Sequence, residues 1–421
     1  MNRGPQAAGG GGRLDRFVAS LMLGLLILAA GLIVSGLLLH GRYVPTVAGA
    51  HSSVAALHEG GLIGWIARFH EWGTALFLLV GGGLIGLIVF TSGYKSPNEW
   101  RWWSLVALVA AVFGLQVTGH LLPFDRHGVQ TAAIEAGVGG RIPFLGSTIR
   151  EAMLQGAEVS GSTLEAWYLV HRWLLPLVVV AAVISGIVAL ARRRETKPMV
   201  WIGIAPLVVA SIVAVFLPPA FGSAASQADF AAYNALPNWY TWPLHGALKL
   251  TERIGPAWSW IGVALVPGLL IGFLAALPWI ARKLAPFFIG TIFTLFIGFF
   301  ATAGVLCAGA IASPFGNQDP VAVPIEEPSG ALQPIRVELA SEGERIFTRE
   351  GCSGCHTLDQ FTGTGGPNLN REFVKRPNPQ WLIRFIKDPS SVRPSSTMPS
   401  FPHLSRTDLE ALAEYIRKPR P

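Results

Sequence analysis

Cysteine and charge are both scarce in this chain of 421 residues. Three cysteines cannot build a disulfide framework. A charged fraction of 14% beside a hydrophobic fraction of 51% excludes an intrinsically disordered chain and argues against a soluble one. Histidine is missing altogether between residues 172 and 244. The net charge of +7 does not signal nucleic acid, because much of it sits in short clusters between greasy segments.

What is present is a series of long apolar runs. A bilayer crossing takes about 20 such residues, and seven runs qualify: 17–40, 72–92, 103–122, 169–191, 199–218, 258–281 and 286–313. Arg13 and Arg16 precede the first run, and Lys95 and Arg101 follow the second. Arg192, Arg193, Arg194 and Lys197 follow the fourth, and Arg282 and Lys283 the sixth. If the runs alternate across the bilayer, all these cations fall on one side. The positive-inside rule makes that side cytoplasmic. The opposite loops mix Arg126, Arg141 and Arg150 with Glu135, Glu151 and Glu158. The first run is too long for a cleaved signal peptide and is expected to be a retained anchor. Seven crossings from a cytoplasmic start leave the C-terminal part outside, in the periplasm of a bacterial inner membrane.

After the last run comes a proline-rich stretch, "SPFGNQDPVAVPIEEPSGALQPIRV", expected to be an extended linker over 314–336. From 337 to 421 the chain turns soluble in character. "ELASEGERIF" reads as a helix, and "SRTDLEALAEYIRK" as an amphipathic helix capped by Ser405, with Asp408 three residues on. Between them stands Cys352-x-x-Cys355-His356, the pattern of covalent c-type haem attachment. Two thiols grip the porphyrin edge and the adjacent imidazole reaches the iron. A disulfide or a thioredoxin-like pair would leave His356 unexplained. Met398, in "SSTMPSF", is the expected second axial ligand, with His403 as a rival. His/Met ligation raises the potential. Cys307, inside the last run, is expected to be a small buried hydrophobe.

Ionisable side chains at the edge of spans are functional candidates. His70, in "RFHEWG", and His171, in "YLVHRWLLP", open the second and fourth runs at equal depth near the outer face. Two such histidines on neighbouring helices can clamp a haem b. Alone, the pair could equally be interfacial.

Several stretches recur in order along residues 15–310: "HEWGTALFLLV", "TSGYKSPNEWRWWS", "TGHLLPFD", "RIPFLG", "AEVSGSTLEAWYLVHRWLLP" and "PNWYTWPL". In these the chain resembles cytochrome b of the cytochrome bc and b6f complexes. Its C-terminal part resembles a small class I cytochrome c, in "GCSGCHTL", "GPNLN" and "MPSF". The resemblance implies an all-α fold: a seven-transmembrane-helix bundle with a small α-helical cytochrome c domain. It implies a haem-binding four-helix part over 1–197 and a three-helix part over 198–313, resembling b6 followed by subunit IV. His70 and His171 would then be the ligands of a haem b near the outer face.

Members of the family carry a second, inner haem b, held by a histidine about 14 residues further along each ligating helix. That is about 21 Å of rise. Here Leu84 stands 14 residues after His70, and Ser185 and Gly186 stand 14 and 15 after His171. The arginine expected beside the inner haem falls at Leu87, and a clearance glycine at Leu105. Ligands, charge partner and clearance are absent together. The expectation is one haem b, one covalent haem c, no inner haem and no normal Q-cycle. An inner haem ligated by another subunit is the alternative.

The family's outer loop reads Pro-Glu-Trp-Tyr; here it is Pro237-Asn238-Trp239-Tyr240. Asparagine can hydrogen-bond a quinol hydroxyl but cannot take its proton. His120, where the family has tyrosine, is a candidate substitute base. It could equally be interfacial, as could His127 and His245. Asn238, Tyr240 and His120 therefore form a candidate quinol site. The resemblance implies an electron-transfer subunit in a multi-subunit assembly, of which a dimer is one form. Its partners would be membrane lipid, a Rieske-type iron–sulfur protein or other redox subunits, and a periplasmic cytochrome c or oxidase. The alternative is a single-haem anchor that holds a cytochrome c domain within a larger assembly.

Overall fold

The computed structural model describes residues 11–156, 159–192, 197–218, 221–225, 237–254, 258–312, 336–352, 356, 369, 379–392 and 398–418. Among them the chain is helical, without a strand; one isolated bridge joins Asp125 to Ala224. Cys355 and most of the proline-rich stretch lie outside the described residues.

In chain order the helices are α1 (Gly11–His40), α2 (Ala50–His58), α3 (Gly61–Phe90), α4 (Glu99–Gly119), α5 (Arg126–Gly139), α6 (Gly146–Leu154) and α7 (Gly161–Leu169). A π-helical turn, Val170–Leu174, joins α7 to α8 (Leu175–Ala191). There follow α9 (Val200–Phe216), α10 (Trp242–Glu252), α11 (Val266–Ile280) and α12 (Pro286–Ala312). The C-terminal part contributes α13 (Val337–Arg349), α14 (Pro379–Lys387), α15 (Pro389–Val392) and α16 (Arg406–Arg417).

Among the described residues, six helical stretches are long and apolar enough to cross a membrane: α1, α3, α4, the α7–α8 rod, Ile261–Ile280 and α12. Only helices that satisfy their own backbone can do so in hydrocarbon. The fifth expected run is the 17-residue helix α9, shorter than the others and followed by Pro218. That length is at the lower limit for a crossing.

The chain divides into two compact units. The first comprises Met1–Pro123, Leu164–Phe221 and Leu270–Leu295. Here α1 packs on α3, α8 and α9, and α4 packs on α3 and α8. The core they enclose includes Met22, Leu25, Leu28, Phe77, Leu84, Leu105 and Leu108. The indole N–H groups of Trp102 and Trp103 donate to the carbonyls of Leu274 and Ala275 at 2.8 and 3.0 Å.

The second unit comprises Phe124–Thr163, Gly222–Leu269 and Phe296–Pro421. Asp125 caps α5 by accepting from the Gly128 N–H at 2.6 Å, and its other oxygen accepts from the Gly222 N–H at 2.5 Å. A 3-10 turn, Trp239–Thr241, leads into α10. The C-terminal helices surround a core of Ile346, Phe347, Leu382, Ile386, Leu409, Leu412 and Ile416. α13 crosses α16 closely at Gly343, where a Cβ would strike the Ala411 carbonyl. The expected cap of α16 is present as a full capping box between Ser405 and Asp408.

Candidate functional site: paired histidines in the bundle and a cysteine–histidine turn

The two bundle histidines lie deeper along their helices than hydropathy alone implies. α3 begins at Gly61, so His70 is nine residues into the helix and does not open it. Arg68, His70 and Glu71 lower the local hydropathy without breaking the helix, because each polar group has a partner. The Arg68 guanidinium donates to the Ala214 carbonyl at 2.8 Å, and Glu71 faces His58 at 3.7 Å. His171 sits in the π turn between α7 and α8. Such turns widen a helix and recur at functional sites.

The rings of His70 and His171 approach edge to face, with centroids 6.2 Å apart. Each Nδ1 is engaged by oxygens of a neighbouring helix. His70 Nδ1 meets the Leu32 carbonyl at 3.1 Å and the Ser35 hydroxyl at 2.9 Å. A carbonyl only accepts, so Nδ1 carries the proton and Nε2 is left with a lone pair. His171 Nδ1 meets the Thr118 hydroxyl at 3.0 Å, and that hydroxyl donates to the Gly114 carbonyl at 2.9 Å. This ring is therefore the Nδ1–H tautomer as well.

Glycine makes the room on both sides. A Cβ at Gly36 of α1 would lie 3.0 Å from His70 Cε1, and a Cβ at Gly119 of α4 would lie 3.0 Å from His171 Cε1. Each histidine is thus seated against a glycine and anchored by an oxygen one or four residues earlier on the same neighbouring helix.

The arrangement fits a bis-imidazole metal centre. Imidazole nitrogen binds a metal at about 2.0–2.1 Å. Adding about 1.1 Å from nitrogen to ring centre on each side puts two rings that share one metal about 6.2–6.4 Å apart. The observed separation falls there, and the fixed tautomers are those that metal-ligating histidines need.

Deeper in the bundle the chemistry changes. Leu84 and Leu105 are fully buried in the common core. The Ser104 hydroxyl donates to the Ser185 hydroxyl at 2.9 Å, and Gly186 packs against Leu26 and Met22.

In the C-terminal domain the His356 N–H donates to the Cys352 carbonyl at 2.9 Å, one α-helical turn. Cys352 and Met398 both pack against the domain's apolar core. His403 instead bonds Glu350 at 2.9 Å on an exposed edge. Cys307 is only half-buried on α12, less than the expected packing.

The three residues of the candidate quinol site fall in different units. His120, which caps α4, stacks edge-on to Trp167 with centroids 5.9 Å apart, in the first unit. Asn238 and Tyr240 belong to the second, where they meet residues of α5. His127 Nε2 approaches Asn238 Oδ1 at 3.2 Å. Asn238 also hydrogen-bonds Tyr240, whose phenol is raised far above its ordinary range by burial and by Glu135. Glu135 was visible in the sequence only as one charge in a mixed loop.

A multi-pass helical membrane protein with paired histidines inside its bundle, followed by a small all-helical domain, is the class that this fold defines. Comparison with known proteins narrows it. The family model for cytochrome b/b6/petB matches residues 16–194, and that for cytochrome c oxidase, cbb3-type, subunit III matches residues 338–416. Cytochrome b6 of Gracilaria tenuistipitata var. liui is 30% identical over 168 residues, covering 40% of this chain and 78% of that protein. Cytochrome b6 of a Cyanothece species is 30% identical over 158 residues, covering 37% of this chain and 71% of that protein. A solved structure of a hyperthermophilic respiratory Complex III is similar in fold. Its TM-score is 0.54 at 19% identity, over 69% of this chain and 88% of that one. The chain belongs to the cytochrome b/b6 family and carries a cytochrome c domain at its C-terminal end. The two parts imply haem cofactors and a role in electron transfer.

Proposed function

We propose that this chain is the electron-transfer subunit of a bc-type respiratory complex, working between a quinol and a periplasmic cytochrome c. One haem b would be held by His70 and His171, and one haem c would be held by Cys352, Cys355, His356 and Met398. When bound, these groups supply one-electron redox chemistry. The chain's own residues do the rest: Leu32, Ser35 and Thr118 fix the imidazole tautomers, and Gly36 and Gly119 set where the rings stand.

The observation that carries this reading is the 6.2 Å separation of two rings whose Nδ1 atoms are both engaged elsewhere. The packed apolar surroundings of Leu84 and Leu105 support a single haem b and no inner one. Without an inner haem, an electron has no carrier to the cytoplasmic side, and no normal Q-cycle operates. The cation clusters support a cytoplasmic N-terminus in a bacterial inner membrane, with the cytochrome c domain in the periplasm. A Rieske-type iron–sulfur protein is the expected acceptor partner.

Asn238 supports a second reading, an anchor and relay without quinol chemistry, since its amide takes no proton. Quinol-to-cytochrome c turnover by the purified complex, with and without an outer-site inhibitor, separates the two. Inhibitor-sensitive turnover supports the first; its absence with intact haem spectra supports the second.

A further inference from the structure

We propose that His403 and Glu350 form a clasp that ties the Met398 loop to the Cys352–His356 turn, and so keeps Met398 on the haem c iron. The proposal rests on the reading that Met398 helps to hold haem c as an iron ligand.

The two sides of such a site differ in how firmly the chain grips them. Thioether bonds at a Cys-x-x-Cys-His turn are covalent. A methionine sulfur is a neutral, weak donor brought in by a separate segment. Its hold on iron depends on where that segment rests.

Here the segment runs from Met398, which packs on the domain's apolar core, to Ser405, the N-cap of α16. Phe401 and Leu404 are buried in the same core, and the Phe401 N–H donates to the Lys387 carbonyl at 3.1 Å. Those contacts hold the loop to α14. His403 ties it to the chain that enters the haem-attachment turn. Its Nε2 meets Glu350 Oε2 at 2.9 Å, across 53 residues of sequence. A carboxylate oxygen accepts, so Nε2 carries the proton.

Glu350 is a fixed post. It caps the C-terminal end of α13, with its N–H donating to the Ile346 carbonyl at 2.8 Å. Its Oε1 accepts from Arg349 Nε at 2.9 Å. Gly351 then turns the chain at φ +70°, a conformation open to glycine without steric cost. Cys352 follows directly, and its carbonyl accepts the His356 N–H at 2.9 Å. The clasp therefore joins the two segments that would carry the ligands.

The Glu350 side chain is 15% exposed and that of His403 50%. A pair this open to water is weak. It acts by position: a small bias between a closed and an open loop changes the open fraction in proportion. An external ligand reaches the iron only from the open state, so its apparent affinity scales with that fraction.

The test uses the purified complex, with imidazole as the probe. Imidazole bleaches the near-infrared methionine–iron charge-transfer band of the oxidised protein, which wild type is expected to show. His403→Ala should raise the apparent imidazole affinity about 1.5–5-fold, the reach of an exposed ion pair. Glu350→Ala should do the same, and the double variant should add nothing further, because each change removes one shared contact. His403→Gln keeps a side-chain N–H donor and should recover part of the effect. Hydrogen exchange at the Phe401 and Leu404 amides should quicken in His403→Ala. Arg406→Ala is the control. It removes a comparably exposed pair, Arg406 Nε to Glu410 Oε1 at 3.2 Å, that lies within α16 and ties down no loop. Unchanged imidazole affinity in His403→Ala and Glu350→Ala, or an equal rise in Arg406→Ala, overturns the clasp and leaves Met398 as the ligand. A wild type without the band overturns both.

Discussion

His70 and His171 stand edge to face across the bundle, and each turns its Nδ1 to an oxygen on a neighbouring helix, Leu32 or Ser35 on α1 and Thr118 on α4. The pair is held from outside by equivalent devices, so each half can be removed separately.

Replacing either histidine by alanine should abolish the haem b absorption of the purified complex and leave the haem c absorption in place. An optical spectrum of the reduced protein reads this directly. A b signal surviving in either variant would show that the iron is held elsewhere.

Removing the oxygen behind a ring should weaken the grip without deleting it. Thr118→Val keeps the shape and loses the acceptor for the His171 Nδ1–H. Loss of such a supporting bond typically costs 10–100-fold in metal-site affinity. Transfer of haem b to an apoprotein scavenger should therefore speed up by about that factor. Unchanged retention would mean that Thr118 plays no part.

The glycine seats give a steric prediction with a built-in control. Gly36→Ala and Gly119→Ala each put a methyl about 3.0 Å from a ring carbon. They should tilt the ring and shift the electron paramagnetic resonance of the oxidised haem b. Gly82→Ala, where a Cβ meets nothing within 4 Å, should leave it unchanged.

Much of this was legible in the sequence, for reasons that differ by residue. Histidine is rare in apolar helices, so His70 and His171 stood out, as did the cysteine–histidine pattern near residue 352. The cap at Ser405 followed from local chemistry alone. The beginning of α3 was not legible, because Arg68 and Glu71 lower hydropathy while their partners lie on distant segments. The short helices α2, α5, α6 and α10 carry no membrane-length run. Glu135 looked like a loop charge because α5 is a short helix whose burial leaves no periodic trace in the sequence. The tautomers of the paired histidines are likewise set by α1 and α4, remote in sequence from His70 and His171.

The packed inner half of the bundle should respond as a core does. Leu105 is fully buried, and Leu105→Ala should cost about 2–5 kcal/mol in unfolding free energy, lowering the thermal midpoint while sparing the haem b spectrum. No change in midpoint would indicate a position that is not packed.

The C-terminal domain offers a test of local capping. Ser405→Ala removes the side-chain cap of α16 and should cost about 1 kcal/mol, read from the thermal shift of the haem c spectrum in the intact chain. The Ser405 hydroxyl and backbone N–H hold the Asp408 carboxyl below its ordinary range. A depressed acid stabilises the fold above its unfolded value of about 3.9. The gap between wild type and variant should therefore be full near neutrality and shrink as pH falls through the native value. A gap that grows on acidification would contradict this.

The central claim is that these helices hold iron once, near the outer face, and nowhere deeper. A pyridine haemochromogen assay on the purified complex, normalised to this chain, measures it most directly. The account predicts one haem b and one haem c per polypeptide; two haems b ligated by this chain would contradict it.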